Sequence, residues 1–168
     1  MRIGGQEWGR SMSFDDRVAI ERLIHLYPDY ADRGDIDAIG ALFAHAEIHA
    51  PGFDRPFHAH GDSKAFADVY RQWVRIYPET GTPRTRHMIG NITIDFEAPD
   101  QARAQSYVMV FQSAPGFALQ AIVGGTYRDR FAKIDGHWRF VERREDMELV
   151  GDLSHHLLMP MEPASGHS

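Results

Sequence analysis

His87 is the side chain of this sequence whose type and setting best suit proton transfer. It lies in an alternating stretch, residues 84–89, in which Thr85, His87 and Ile89 share one face of a predicted strand. Histidine gains and loses protons near neutral pH, so a histidine aimed into an apolar cavity can act as a general base. The alternative is a packed or solvent-exposed strand histidine without a chemical role.

The 168 residues include no cysteine, which excludes disulfides, a thiolate nucleophile and cysteine-ligated zinc. Catalysis would therefore use His, Asp, Glu, Tyr or Ser. Several histidines raise the question of a metal site: His45, His49, His58, His60, His155 and His156. The first two fall at a helix-to-strand boundary and share no helix face, and the next two lack a convincing carboxylate partner. We expect neither a metal nor an organic cofactor.

Four tyrosines are candidates for contact with a substrate. Tyr27 and Tyr30 lie on the apolar stripe of the predicted first helix, whereas Tyr107 and Tyr127 lie on predicted strands. A buried tyrosine needs a partner for its hydroxyl group, and a substrate carbonyl is one such partner. Packing in the core is the other interpretation of each.

The elements that must position these side chains begin with three predicted helices. Ser13 precedes the first helix as part of a carboxylate-bearing variant of a capping box, and Pro28 should kink that helix near its end. Asp35 caps a short second helix. A third helix starts near Asp62 and ends at Pro78.

After the helices the apolar period changes to two, which predicts a sheet. A short strand is predicted at residues 46–50, and longer strands at 84–96, 102–112, 118–134 and 137–149. Glycines at 90 and at 124–125 interrupt good strands, which is typical of bulges that curl a sheet. The sequence therefore predicts an α+β fold in which the helices cover one face of a strongly curved, mixed or antiparallel sheet. The space between the two layers is the natural pocket.

Composition limits the organisation and the partners. We expect one domain at residues 13–150, between a flexible leader at 1–12 and a C-terminal tail at 151–168. A net charge of −6 argues against nucleic acid and anionic membranes as partners. No apolar run is long enough for a membrane span, and no secretory signal is evident, so a cytoplasmic location is expected.

Several stretches together resemble the SnoaL-like branch of the NTF2-like superfamily. They are Tyr27–Asp37, Arg84–Asn91, Gly124–Asp129 and Asp135–Phe140. The resemblance extends over nearly the whole chain, roughly residues 13–150. It implies a cone formed by a curved sheet wrapped around helices, a deep ligand cavity, and assembly into homo-oligomers, commonly dimers or trimers.

Within the superfamily the sequence is most similar to lyase-type members such as scytalone dehydratases. This resemblance implies an acid–base pair, Asp32 and His87, with Tyr27 as a third catalytic residue. Asp32 would accept the proton on one imidazole nitrogen and leave the other free as the base. On a helical wheel Asp32 lies roughly 140° from Tyr27, which points it away from the pocket. The second catalytic histidine of scytalone dehydratases has its counterpart near Gly124 and Gly125, so that specific reaction is not expected.

The sequence therefore predicts a cofactor-independent lyase, of dehydratase or dehydrohalogenase type, or an isomerase. His87, oriented by Asp32, would remove a proton from a small hydrophobic cyclic substrate, such as a cyclic ketone or a sterol-like or polyketide-like ring. Tyr27 would stabilise the enolate-like charge. The alternative is a non-catalytic ligand-binding or assembly subunit on the same fold.

Overall fold

Three helices and six strands make up residues 14–159, the part of the chain that the computed structural model describes. The helices are α1 (Phe14–Arg33), α2 (Ile36–Leu42) and α3 (Ser63–Trp73), and the strands are β1 (Glu47–His49), β2 (Phe57–His58), β3 (Thr85–Ala98), β4 (Gln101–Ala114), β5 (Phe117–Ile134) and β6 (His137–Val150). The predicted leader, Ser13 and the last nine residues lie outside this range.

The sheet has the order β2-β1-β6-β5-β4-β3. Its neighbours are antiparallel except for β1, which runs parallel to β6. The helices cover one face, as the periodicity predicts, because strand positions alternate between buried and exposed while each helix buries one stripe. The predicted α+β fold with a curved mixed sheet is confirmed.

The last turn of α1 is fixed by a glycine. Gly34 has a φ of +72°, its N–H donates to the Ala31 carbonyl, and the Asp35 N–H donates to the Tyr30 carbonyl at 2.9 Å. This pair of bonds closes the helix as a Schellman motif and places Asp32 in the final turn. Asp35 then caps α2, as predicted, by accepting from the Ala38 N–H.

The third helix ends earlier than its sequence predicts. It begins after the Asp62 cap, as expected, but it stops at Trp73 rather than at Pro78. Val74 adopts an extended conformation and forms a β-bridge with Leu157, so pairing with a distant segment replaces the next helical turn. Local periodicity carries no information about such a partner.

Register shifts bend the sheet at the predicted glycines. The β3–β4 register shifts between Gly90 and Thr93, and the β5–β6 register shifts between Gly124 and Thr126. A side chain at Gly125 would clash with the backbone of β6, since an ideal Cβ there would lie 2.3 Å from the Asp146 carbonyl oxygen. The absence of a side chain here therefore allows β6 to approach β5 closely.

A further shift in β6 changes which residues face the helices. The pairing with β5 skips Val141, so Trp138 and Phe140 are buried before it and Arg143 is buried after it. Because side chains alternate along a strand, Glu145 then lies on the same side as Arg143. The shift thus turns two charged residues towards the interior.

Residues 151–159, which the sequence assigns to a tail, pack against the domain. The His155 carbonyl accepts from the Tyr77 hydroxyl at 2.7 Å and from Gln112 Nε2 at 3.0 Å. The Leu158 N–H donates to the Trp73 carbonyl at 2.9 Å. These bonds hold the segment across the open end of the sheet and helices.

No helix among residues 14–159 is long and apolar enough to cross a lipid bilayer.

Replacing Gly34 with alanine should destabilise the fold more than replacing Gly116. The two residues have almost the same φ, +72° and +73°, which costs a non-glycine residue about 1–2 kcal/mol. At Gly34 the added Cβ would also lie 2.2 Å from the Gly81 carbonyl oxygen, whereas nothing lies within 4 Å at Gly116. Chemical denaturation should therefore give a loss of about 3 kcal/mol or more for Gly34→Ala and about 1–2 kcal/mol for Gly116→Ala. Equal losses would show that the overlap with Gly81 is not real.

Candidate functional site

The centre of the site is a carboxylate–imidazole pair, Asp32 and His87. Asp32 Oδ1 lies 2.6 Å from His87 Nδ1, and Asp32 Oδ2 accepts from the His87 backbone N–H at 2.9 Å. The Thr85 hydroxyl donates to Asp32 Oδ1 at 2.8 Å. Three donors therefore fix the carboxylate, and the carboxylate in turn fixes the imidazole.

Asp32 lies behind His87 and not in the cavity itself. The helical wheel correctly turns it away from Tyr27, but the start of β3 occupies that side of α1, so Asp32 reaches His87 from outside. Both side chains are largely buried, with 10% of Asp32 and 5% of His87 exposed. The structure thus brings together Asp32 and His87, the two residues that the family resemblance pairs. The helical wheel points Asp32 away from the cavity but does not show that His87 can be reached from that side.

The pair leaves one imidazole nitrogen available. Burial would raise the pKa of Asp32, but hydrogen bonds from His87 and Thr85 and the charge of the imidazole outweigh burial and lower the pKa overall. An ionised Asp32 accepts a proton-bearing Nδ1, which assigns the neutral tautomer from the hydrogen-bond network. Nε2 of His87 is then the atom that can exchange a proton with a molecule in the cavity.

Tyrosine side chains surround the imidazole on the cavity side. The Tyr27 ring contacts both the His87 ring and the Tyr127 ring edge-on. Its centroid lies 5.9 Å from the centroid of His87 and 6.0 Å from that of Tyr127. The pKa values of Tyr27, Tyr70 and Tyr127 are all raised, and burial is the largest cause for each of them. All three phenols remain protonated at neutral pH and can donate hydrogen bonds. Tyr27 and Tyr127 are predicted from the sequence, whereas Tyr70 on α3 is not.

Below the tyrosines lies a buried ion pair, Arg143 and Asp129. Arg143 Nε and Nη2 donate to the two Asp129 oxygens at 2.7 and 2.8 Å, and each side chain is only 1% exposed. Burial opposes the charge on Arg143, but Asp129 outweighs it and raises the pKa. The guanidinium lies 4.2 Å from the centroid of Tyr127 and 4.8 Å from that of Tyr27. It therefore supports both rings by cation–π contact.

Glu145 brings a second carboxyl group into the cavity. It is directly opposite Tyr127 across the β5–β6 pair. Burial raises the pKa of Glu145 to about 7; Arg143 lowers the pKa and Asp129 raises it by smaller amounts. This carboxyl group can therefore exist in both protonation states near neutral pH. Neither it nor the Arg143 pair is found by sequence reasoning, because the skipped residue at Val141 reverses the facing of β6.

The cavity itself has a volume of about 150 Å³ and mostly apolar walls. Phe43, Phe66, Trp73, Val110 and Leu153 are among the residues that line it. It adjoins an outer groove of about 1020 Å³, with which it shares Glu145, Met147 and Leu157. A ligand whose reactive part enters the cavity can thus extend outwards into the groove.

The C-terminal segment supplies the remaining wall. His156 lines the cavity, and its Nδ1 is buried without a hydrogen-bond partner among the described residues. Burial, with a smaller contribution from His87, lowers the pKa of His156 to about 4. His156 is therefore neutral at physiological pH. Across residues 14–159, no three His, Asp or Glu side chains are grouped in a way that could hold a metal ion.

Two predicted tyrosines lie away from this cavity. Tyr30 packs at the edge of the core with the Arg33 guanidinium 5.6 Å above its ring. Tyr107 is on the outer face of the sheet and is half exposed. Neither lines the cavity, so their placement does not support the predicted contact with a substrate there. The sequence patterns around Tyr30 and Tyr107 fit packing in the core or exposure to solvent as well as contact with a substrate.

The low pKa of His156 predicts an acid-sensitive fold. Below its ordinary pKa of 6.5 the unfolded chain binds a proton at this ring that the folded chain does not bind until the pH reaches about 4. The free energy of unfolding should therefore fall as the pH drops from 6.5 to about 4, and His156 should account for up to about 3 kcal/mol of this fall. The free energy of unfolding measured between pH 7 and pH 4 should fall less in His156→Gln. His137→Gln, at an exposed histidine that begins β6, should keep the wild-type slope. A wild-type slope in His156→Gln would contradict the assignment.

Comparisons with known proteins identify the family. The sequence profile of the SnoaL-like domain matches residues 12–144. No curated protein sequence matches this chain closely enough to indicate a relationship.

The fold is similar to several crystal structures from Novosphingobium aromaticivorans. One, provisionally named a scytalone dehydratase, has 21% identity and a TM-score of 0.65, over 92% of this chain and 96% of its own. An NTF2-like protein with a cystatin-like fold has 24% identity and a TM-score of 0.64, over 80% and 82%. A protein provisionally named the beta subunit of an aromatic-ring-hydroxylating dioxygenase has 18% identity and a TM-score of 0.60, over 82% and 92%. With the profile match over most of its length, the chain belongs to the SnoaL-like domain family.

Proposed function

We propose that this protein is a lyase of dehydratase type, or an isomerase, that removes a proton next to a carbonyl group in a small cyclic ketone. The observation that carries this proposal is the orientation of His87. Its Nδ1 is held by Asp32 at 2.6 Å, while the same ring forms part of the wall of an apolar cavity. A base fixed in this way needs no further group to begin the reaction.

In this mechanism Asp32 faces the imidazolium that proton transfer to His87 creates. As Nε2 takes the substrate proton, the imidazole becomes positive and its Nδ1–H faces an ionised carboxylate. The pKa of Asp32 is lowered by its contacts with His87 and Thr85 despite burial, so the carboxylate stays charged throughout the working pH range. The hydroxyl of Thr85 keeps it oriented.

The negative charge that develops on the substrate oxygen would be stabilised by phenol hydroxyls. Tyr27 is adjacent to both His87 and Tyr127, and the pKa of each phenol is raised by burial. A neutral phenol in an apolar cavity is an effective donor to an enolate oxygen, because no water competes with it. The Arg143 guanidinium below the rings adds a fixed positive charge nearby.

Cavity size favours a single ring over a polycyclic substrate. A cavity of about 150 Å³ is comparable to one that holds a benzene molecule. A sterol-like or polyketide-like substrate would have to place its other rings in the outer groove. We therefore favour a monocyclic ketone, or a larger molecule whose reactive ring alone enters. Elimination and isomerisation both begin with the same proton removal.

The alternative is a non-catalytic ligand-binding or assembly subunit. The similarity to a protein provisionally named a dioxygenase beta subunit favours it, since the same fold serves there in an assembly. Such a role gives no reason for a fixed Asp32–His87 pair beside an apolar cavity. Exposed apolar side chains such as Met88 and Leu119 are available for the homo-oligomer that we also propose.

Substitutions in the acid–base pair should abolish turnover without unfolding the protein. Incubation with a panel of monocyclic ketones should reveal an activity in the wild-type protein, and His87→Ala and Asp32→Asn should each lower kcat by about 10²–10⁴-fold. Asp29→Asn is the matched control, because Asp29 is an exposed acid on the same helix that forms an ion pair with Arg33. It should retain wild-type kinetics. Turnover that persists when both His87 and Asp32 are replaced would rule out this mechanism.

Removing the Tyr27 hydroxyl should lower kcat and leave KM nearly unchanged, because its hydrogen bond strengthens as charge develops. We expect a loss of about 10²-fold in kcat for Tyr27→Phe. Tyr30→Phe serves as the control, since Tyr30 is on the same helix but outside the cavity. A larger effect of Tyr30→Phe than of Tyr27→Phe would contradict the assignment of the oxyanion donor.

A further inference from the structure

Glu145 is the acidic side chain in the cavity that the proposed proton abstraction does not use. It lines the cavity together with His87, yet among residues 14–159 no hydrogen bond or ion pair joins its carboxyl group to another side chain. The adjacent cation, Arg143, directs Nε and Nη2 to Asp129, and its buried Nη1 has no hydrogen-bond partner among the described residues, so it forms no hydrogen bond to Glu145. The fold thus holds a carboxyl group in an apolar setting without giving it a structural partner.

Glu145 and His87 reach the cavity from different parts of the sheet. His87 is on β3 and Glu145 is on β6, three strand spacings apart, or about 14 Å along a flat sheet. The Tyr27 ring contacts both the His87 ring and the Tyr127 ring, and Tyr127 is the cross-strand partner of Glu145. Both groups nevertheless line one small cavity, so a ring bound there meets two proton-transfer groups that come from different strands.

The surroundings of Glu145 favour its protonated form. The titratable and charged groups that interact with it are Tyr27 on α1, Tyr70 on α3, Tyr127 and Asp129 on β5, and Arg143 on β6. From the C-terminal segment, the neutral His156 lines the same cavity. The phenols bear no charge, and the charges of Asp129 and Arg143 largely cancel in their ion pair. Burial is therefore the dominant influence and raises the pKa of Glu145 to about 7.

We propose that Glu145 is the general acid that protonates a departing hydroxyl group, and that the substrate is a cyclic ketone with a hydroxyl group β to the carbonyl. This inference rests on the proposed function and narrows it to a dehydratase. His87 Nε2 takes the proton from the carbon between carbonyl and carbinol, and the electron pair of that C–H bond forms the C=C bond. The C–O bond breaks, and the oxygen leaves as water with the proton from Glu145.

The products of this step are an enone, water, a protonated His87 and an ionised Glu145. No oxidant, reductant or second substrate is required, since every atom comes from the substrate or from these two side chains. Return of the proton from His87 to Glu145, through water that enters as the product leaves, restores the starting state. Hydroxide is a poor leaving group, whereas halides leave without a proton, so a second acid is needed only for loss of water.

The test compares two substrates of similar size, 3-hydroxycyclohexanone and 3-chlorocyclohexanone, which both give cyclohex-2-enone. Formation of the enone is followed by its ultraviolet absorbance, with the uncatalysed elimination subtracted. Glu145→Gln should lower kcat for the hydroxy ketone by about 10²-fold or more and change kcat for the chloro ketone by less than about threefold. His87→Ala should lose both reactions. Glu148→Gln, an exposed neighbour on β6, should retain both.

The outcomes separate this inference from the proposal on which it depends. Equal losses on the two ketones in Glu145→Gln would overturn the acid role and leave the base intact, as would full activity on the hydroxy ketone. A wild-type protein that converts neither ketone would overturn the proposed function itself, and the inference with it. The wild-type rate on the hydroxy ketone should also decline as the pH rises above about 7, where Glu145 loses its proton. This decline should be absent for the chloro ketone.

Discussion

The buried charge of Arg143 is the constraint around which the interior is organised. A guanidinium that is 1% exposed must be compensated, and Asp129 provides two hydrogen bonds to it from the neighbouring strand. Removing one partner of such a pair commonly costs about 3–5 kcal/mol, because the other is left charged and buried. Four aromatic rings also lie within 4.2–5.0 Å of the guanidinium: Tyr27, Phe43, Tyr127 and Phe140. The cation therefore ties α1 and the end of α2 to β5 and β6.

The reactive pair depends on this arrangement through Tyr27. Arg143 holds the Tyr27 ring, the ring contacts His87, and the helix that carries Tyr27 also carries Asp32 five residues later. The Schellman closure at Gly34 sets the direction in which Asp32 leaves the helix. A single helix thus presents a phenol to the cavity and a carboxylate to the back of the imidazole. The angle of roughly 140° between them on the helical wheel points Asp32 away from the cavity, and this direction is what lets it reach His87 from behind.

Sequence reasoning succeeds where local patterns determine the structure. The spacing of apolar residues predicts the helices and the strands, the Asp35 cap predicts the start of α2, and the strand glycines predict the curvature of the sheet. The family resemblance identifies Asp32. It fails at Arg143 and Glu145, because the Asp135-Gly136 turn sets a register that the skipped residue at Val141 then changes. A shift of one residue reverses which side chains face inwards, and no local signal marks it. The early end of α3 is missed for a related reason, since it follows from the pairing of Val74 with Leu157, 83 residues later in the chain.

Residues 151–159 form one wall of the cavity, and this wall explains why the cavity can hold so many ionisable groups in neutral form. His156 and Leu157 exclude water on the side that the helices leave open, so the charged forms of the tyrosines, Glu145 and His156 are all disfavoured. In such a setting a new charge interacts strongly with fixed dipoles and with the nearby Arg143, because there is little water to screen it. A substrate that becomes negative against Tyr27 would therefore gain far more from the cavity than its neutral ground state does. This difference is the physical condition for catalysis, and it depends on the C-terminal wall as much as on the Asp32–His87 pair.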